Sequence, residues 1–142
     1  MARKDEKLEH LSKVRLFAAL PKKDLNLIGR ASDEVRVPAG KVLVEQGKPG
    51  FEFYLILAGK ASVSRGGKKV ATVGPGQYFG ELAVLDRRPR NSTVKAETDM
   101  ELLVLGQREF SGLLDEVPGL AHKLLQTMAG RLWEADTKAV HH

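Results

Sequence analysis

Apolar residues recur at every third position near the start of the chain. Leu8, Leu11, Val14 and Phe17 fall on one side between Glu6 and Ala19, and this spacing predicts a short amphipathic helix. A second helix is predicted where Pro21 and Asp24 stand, with Leu25 and Ile28 turned inward and Gly29 near its end. After Ser32 the period drops to two. Val35 and Val37 alternate with charged neighbours, Pro38-Ala39-Gly40 predicts a turn, Val42 to Val44 a short strand, and Gln46-Gly47-Lys48-Pro49-Gly50 another turn. Phe51 to Ala58 is a stronger strand signal, Ala61 to Arg65 alternates, Gly66-Gly67 marks a hairpin, and Val70 to Val73 follows before Gly74-Pro75-Gly76. Two further strands, Ser92 to Ala96 and Met100 to Leu105, flank the acidic corner Glu97-Thr98-Asp99.

Strands this short and this regularly interrupted predict an antiparallel roll or barrel, because a parallel sheet needs helical crossovers and none fits between them. The roll is expected to end near Gly106. Arg108 to Leu114 has room for a short helix, and Pro118 can open a last one running to Lys138. That segment carries two apolar stripes, Leu120, Leu124, Met128 and Leu132 on one line and Leu125, Ala129 and Trp133 on its neighbour. Either both are buried against the roll, or one covers a ligand or pairs with a second chain.

Composition narrows the class. With 142 residues, 42% of them hydrophobic, the chain suits one compact domain with one core. The formal net charge of +5 permits acidic partners, but basic and acidic residues are interspersed, as in Lys4-Asp5-Glu6-Lys7, which fits a solvated surface better than a nucleic-acid patch. The absence of cysteine excludes disulfides, thiolate metal sites and cysteine nucleophiles. No apolar run approaches the roughly 18 residues of a membrane span, and no signal-peptide core follows the charged start, so a soluble cytoplasmic protein or a soluble piece of a larger one is expected. A metalloenzyme on a roll needs converging histidines; His10, His122, His141 and His142 all lie outside the predicted strands, and no metal site is expected.

The candidate chemistry sits between Tyr78 and Ala96. A helical turn opening near Gly80 leaves its first backbone N–H groups without internal partners, and such groups converging on one point form an anion site. Arg90 supplies a planar fork of donors that matches phosphate oxygens. Glu81 only accepts hydrogen bonds, so beside a phosphate it calls for a hydroxyl on the same ligand, which a ribose provides.

Phe79-Gly80-Glu81-Leu82-Ala83, with Arg90 nine positions after Glu81 and Ser92-Thr93-Val94 behind it, resembles the phosphate-binding cassette of the cyclic nucleotide-binding domain family. The similarity extends to Gly40, Gly47, Phe53-Tyr54-Leu55-Ile56 with Gly59, Gly74-Pro75-Gly76 and the helix after Pro118. It implies a mainly β fold, an eight-stranded antiparallel β-roll of jelly-roll type with N-terminal helices and a long C-terminal helix. One domain over 1–142 is then expected: a helical arm at 1–31, the roll at 32–106 with its cassette at 78–94, and helices at 107–140. The resemblance assigns Gly80 to close approach of the backbone to the sugar and Glu81 to the ribose 2′-hydroxyl. It turns the amides of Leu82 and Ala83 toward the cyclic phosphate, Arg90 onto that phosphate, and Asn91 and Ser92 beside it. Val63, Val70 and Ala71 flank the base, on which Trp133 is a candidate to stack.

The function implied is a non-enzymatic sensor for cAMP, or for cGMP, with Asn91 leaving the base preference open. Its expected output is a movement of the C-terminal helix toward the roll, read by an output domain, a partner or a second copy. No direct contact with nucleic acid is expected of this chain. The alternatives are the ligand-binding half of a transcription regulator of the bacterial receptor type, and a roll that binds another ligand or only a partner protein.

Overall fold

A computed structural model describes residues 8–14, 16–80 and 89–140, and the side chains of these except 131 and 134–140. Eight strands, β1 (Asp33–Val37), β2 (Val42–Val44), β3 (Glu52–Ala58), β4 (Ala61–Arg65), β5 (Lys68–Val73), β6 (Tyr78–Phe79), β7 (Thr93–Ala96) and β8 (Met100–Gly106), form two four-stranded sheets. Their orders are β1-β8-β3-β6 and β2-β7-β4-β5, and every pairing is antiparallel. Helix α1 (Lys22–Ala31) precedes the roll; α2 (Gln107–Glu116) and α3 (Pro118–Val140) follow it. The eight-stranded antiparallel roll with flanking helices is therefore present.

The start of the chain departs from the expected helix. Residues 8–12 are helical, but tight turns with i→i+3 hydrogen bonds follow, from Lys13 N to His10 O, Val14 N to Leu11 O, Phe17 N to Val14 O and Leu20 N to Phe17 O. A strict three-residue spacing explains this, because three residues per turn suits a tighter coil than the 3.6 of an α-helix. Leu11, Val14 and Phe17 are nonetheless buried, as their spacing implied. Helix α1 opens behind Pro21, whose carbonyl accepts from the amides of Asp24 and Leu25, and it ends at Ser32.

Two cores lie on either side of the first sheet. One packs Leu25, Ile28, Phe110, Leu113 and Leu120 of the helices against Phe53, Leu55 and Leu103. The other fills the space between the sheets with Tyr54, Ile56, Phe79 and Leu102 from one and Ala61, Val94 and Ala96 from the other. Consecutive residues of β3 thus serve opposite cores, as the two-residue period of a strand requires. The first stripe of α3 enters the helical core through Leu120 and Leu124, with Met128 at its edge, while Leu132 is 66% exposed. The second stripe is not buried: Leu125 is 65% and Trp133 69% exposed. Burial of both stripes is thereby corrected, because the described roll meets α3 along only one of its sides.

Candidate functional site

The turn ahead of β3 and the approach to β7 clasp each other. Gly47 N donates to Arg90 O at 2.8 Å, and Arg90 N donates to Lys48 O at 2.9 Å. Within that turn the Lys48 ammonium meets the Glu45 carboxylate at 2.6 Å, a bond that raises the lysine's pKa above its ordinary value. Held on both sides by its backbone, Arg90 sends its side chain inward and is only 6% exposed.

The guanidinium reaches two segments of the first sheet at once. Nη1 donates to Gly80 O at 3.2 Å and Nη2 to Glu52 O at 2.8 Å, so carbonyls from β3 and from the end of β6 fix the fork. Two glycines make room for it. A Cβ on Gly50 would collide with the guanidinium, and one on Gly80 would lie 2.6 Å from both Arg90 Nη1 and Glu52 O. Gly80 also has φ +91°, a conformation that side-chain-bearing residues avoid.

Beside Arg90, the Tyr54 hydroxyl donates to Glu52 Oε2 at 2.6 Å, and the Tyr54 ring stacks on Phe79 with centroids 4.8 Å apart. Burial foremost, then the hydrogen bond to and the charge of Glu52, push the Tyr54 pKa well above 10.0, while Arg90 pulls it the other way. The folded state therefore favours the neutral phenol, and this contribution to stability is intact below about pH 10 and lost as pH rises toward the elevated native value. Urea melts between about pH 8 and 11 should show a shallower alkaline decline for Tyr54→Phe than for the native protein; equal slopes would contradict the coupling.

The other expected site residues separate into groups. Ser92 is buried, accepts from Arg65 Nε at 2.9 Å, and donates to Asn91 Oδ1 at 3.2 Å, while Asn91 itself is exposed. Val63 pairs with Ala71 on one side and Val94 on the other, which places the three on one face of the second sheet. Val63 is half-buried, Ala71 exposed, and Val70 is 53% exposed at the irregularity between Val63 and Ser64. Trp133 stands exposed on α3. Glu81, Leu82 and Ala83 lie outside the described residues. Gly50, Glu52 and Tyr54 were missed as site residues; the glycine-bounded Gly47 to Gly50 turn was the one local signal for them.

A family model for the cyclic nucleotide-binding domain matches residues 34–117, more than half of the chain. The chain belongs to the cyclic nucleotide-binding domain family. The matched span runs from β1 to the end of α2 and contains Arg90 with both carbonyls that hold it. Among curated relatives, the cAMP-dependent protein kinase regulatory subunit of Aspergillus niger is 35% identical over 115 residues, covering 80% of this chain and 28% of that protein. The Thermus thermophilus catabolite activator protein superposes with a TM-score of 0.82 at 34% identity, covering 87% of this chain and 61% of that one. The regulatory domain of Toxoplasma gondii PKA, solved with cAMP, gives a TM-score of 0.70 at 33% identity over 79% of this chain and 44% of its own. This member of the cyclic nucleotide-binding domain family thus spans about a quarter of the kinase subunit's length. Among its described residues there is no cluster of three metal-ligating side chains and no helix long and apolar enough to cross a membrane.

Proposed function

We propose that this chain is a non-enzymatic cyclic nucleotide sensor of the cytoplasm, with cAMP the leading ligand. The observation that carries the reading is the buried Arg90 guanidinium, fixed by the backbone carbonyls of Glu52 and the positive-φ Gly80. Burying a cation there is unfavourable unless it is hydrogen-bonded, and an anionic ligand makes that arrangement useful. The chain's relatives point to the same ligand: one is named a cAMP-dependent regulatory subunit and another was solved with cAMP.

In this reading Arg90 neutralises the cyclic phosphate with the amides of Leu82 and Ala83, flanked by Asn91 and Ser92. Glu81 accepts from the ribose 2′-hydroxyl, Gly80 permits close approach, and Val63, Val70 and Ala71 face the base, on which Trp133 stacks. A ligand of roughly 22 heavy atoms at about 0.3 kcal/mol each gains about 7 kcal/mol, which corresponds to low-micromolar affinity. Signalling requires that the two positions of α3 bind ligand unequally. The exposed Leu125 and Trp133 favour a partner, an output domain or a second copy reading that helix. The ligand-binding half of a transcription regulator remains the second reading, supported by the likeness to the Thermus activator.

Calorimetric titration of cAMP and cGMP side by side tests the proposal, and failure of both to bind at about 100 µM would end it. Glu81→Ala should weaken cAMP about tenfold, yet bind 2′-deoxy-cAMP no worse than the native protein does. Equal losses for the two ligands would remove Glu81 from ribose recognition.

A further inference from the structure

We propose that Arg65 is a positioning residue for the anion site: through the Ser92 hydroxyl it turns the Asn91 carboxamide so that its NH2 group, not its oxygen, is offered to the ligand phosphate. The inference rests on the receptor reading above, which sets Asn91 beside that phosphate. β4 and β7 run antiparallel with Val63 opposite Val94 and Ser64 opposite Thr93, so the next step of the register brings Arg65 to Ser92. Ser92 continues the alternation that buries Val94 and Ala96, while Arg65, at the exposed end of β4, reaches in to it. Arg65 Nε donates to Ser92 Oγ at 2.9 Å, and Ser92 Oγ donates onward to Asn91 Oδ1 at 3.2 Å.

The backbone on either side of Asn91 is already anchored. Gly47 N donates to Arg90 O, Arg90 N donates to Lys48 O, and Gln46 N donates to Thr93 Oγ1 at 3.0 Å. What remains to be set between these anchors is the exposed side chain of Asn91. A carboxamide has two unlike ends, an oxygen that accepts and an NH2 that donates, and only the second suits a neighbouring phosphate. A serine hydroxyl can hold either end, since it has one proton and two lone pairs. The cationic Arg65 donor occupies a lone pair and polarises the hydroxyl, so the serine proton is committed to Asn91 Oδ1 and the NH2 is left for the ligand. Without the guanidinium the hydroxyl can turn to accept from that NH2, and the amide oxygen then faces the phosphate.

Calorimetry with cAMP and cGMP on the native protein, Arg65→Met, Ser92→Ala, Asn91→Ala and the Arg65→Met/Asn91→Ala double variant tests this, with thermal melts confirming that each is folded. Arg65→Met keeps the stem without the fork and should weaken both nucleotides alike by about tenfold, the equivalent of one hydrogen bond to a charged group. Ser92→Ala, which retains the Arg65 charge, should do the same. In the Asn91→Ala background the further loss on Arg65→Met should shrink to within about twofold, because no carboxamide is left to orient. An undiminished loss in that background would show that Arg65 acts through its charge alone and would overturn the proposal. Native affinity in Arg65→Met or in Ser92→Ala, or a loss confined to one of the two nucleotides, would overturn it too. Absence of binding by the native protein itself would instead defeat the receptor reading, and this inference with it.

Discussion

Replacing Arg90 by alanine should weaken cyclic nucleotide binding by about tenfold at the least and more than about a hundredfold if two phosphate contacts are lost, since each charge-assisted bond contributes roughly 1.5–3 kcal/mol. The fold should survive. Alanine keeps the two backbone hydrogen bonds to Gly47 and Lys48, and the carbonyls that lose their donor belong to Glu52, which is exposed, and Gly80, which is half-buried, so water can take the donor's place. Arg90→Lys sharpens the result: a lysine retains the charge but offers a point donor where the arginine presents a planar fork, and only part of the affinity should return. Calorimetry against cAMP, with a circular-dichroism melt of each variant, reads both quantities. Unchanged affinity in a folded Arg90→Ala protein would defeat the assignment of the pocket.

The largest loss of stability is expected at Phe53. Its side chain is fully buried, with the Phe110 ring stacked at 4.6 Å and the Tyr78 ring tilted against it at 5.4 Å. Truncation to alanine removes transfer free energy and leaves a cavity that a strand paired on both edges cannot collapse, so a cost of about 3–5 kcal/mol is expected. That is a large part of the roughly 5–15 kcal/mol by which a domain of this size is stable. Denaturant melts should show the midpoint falling sharply in Phe53→Ala. Leu125→Ala, on the exposed stripe of α3, should stay within about 0.5 kcal/mol of the native protein. A tolerant Phe53→Ala would mean that the two sides of β3 are less tightly packed than their burial indicates.

Much of this architecture is legible in the order of residues, and the exceptions have physical causes. Seven strands follow from alternation and turn signals, whereas β6 consists of Tyr78 and Phe79 alone, too short for any period. Its place is set by pairing to Leu55 and Tyr54, more than twenty residues earlier in the chain. Arg90 is identifiable from its distance to Gly80 and Glu81, but its burial depends on Glu52, 38 positions away. Nothing local marks Glu52 or Tyr54, because one reads as a charged strand end and the other as an ordinary aromatic strand residue. The stripes of α3 are equally apolar in sequence, and only the packed structure separates the covered one from the open one.

The alternation along β3 has a mechanical consequence. Phe53 and Leu55 press on one chamber while Tyr54 and Ile56 press on the other, so the strand is a partition wall shared by two tightly filled rooms. Close-packed interiors transmit small displacements instead of absorbing them. In the proposed reading, a pull on the Glu52 carbonyl through Arg90 would lean on Phe110 by way of Phe53 and, through α2, on the root of α3, without any hinge being required.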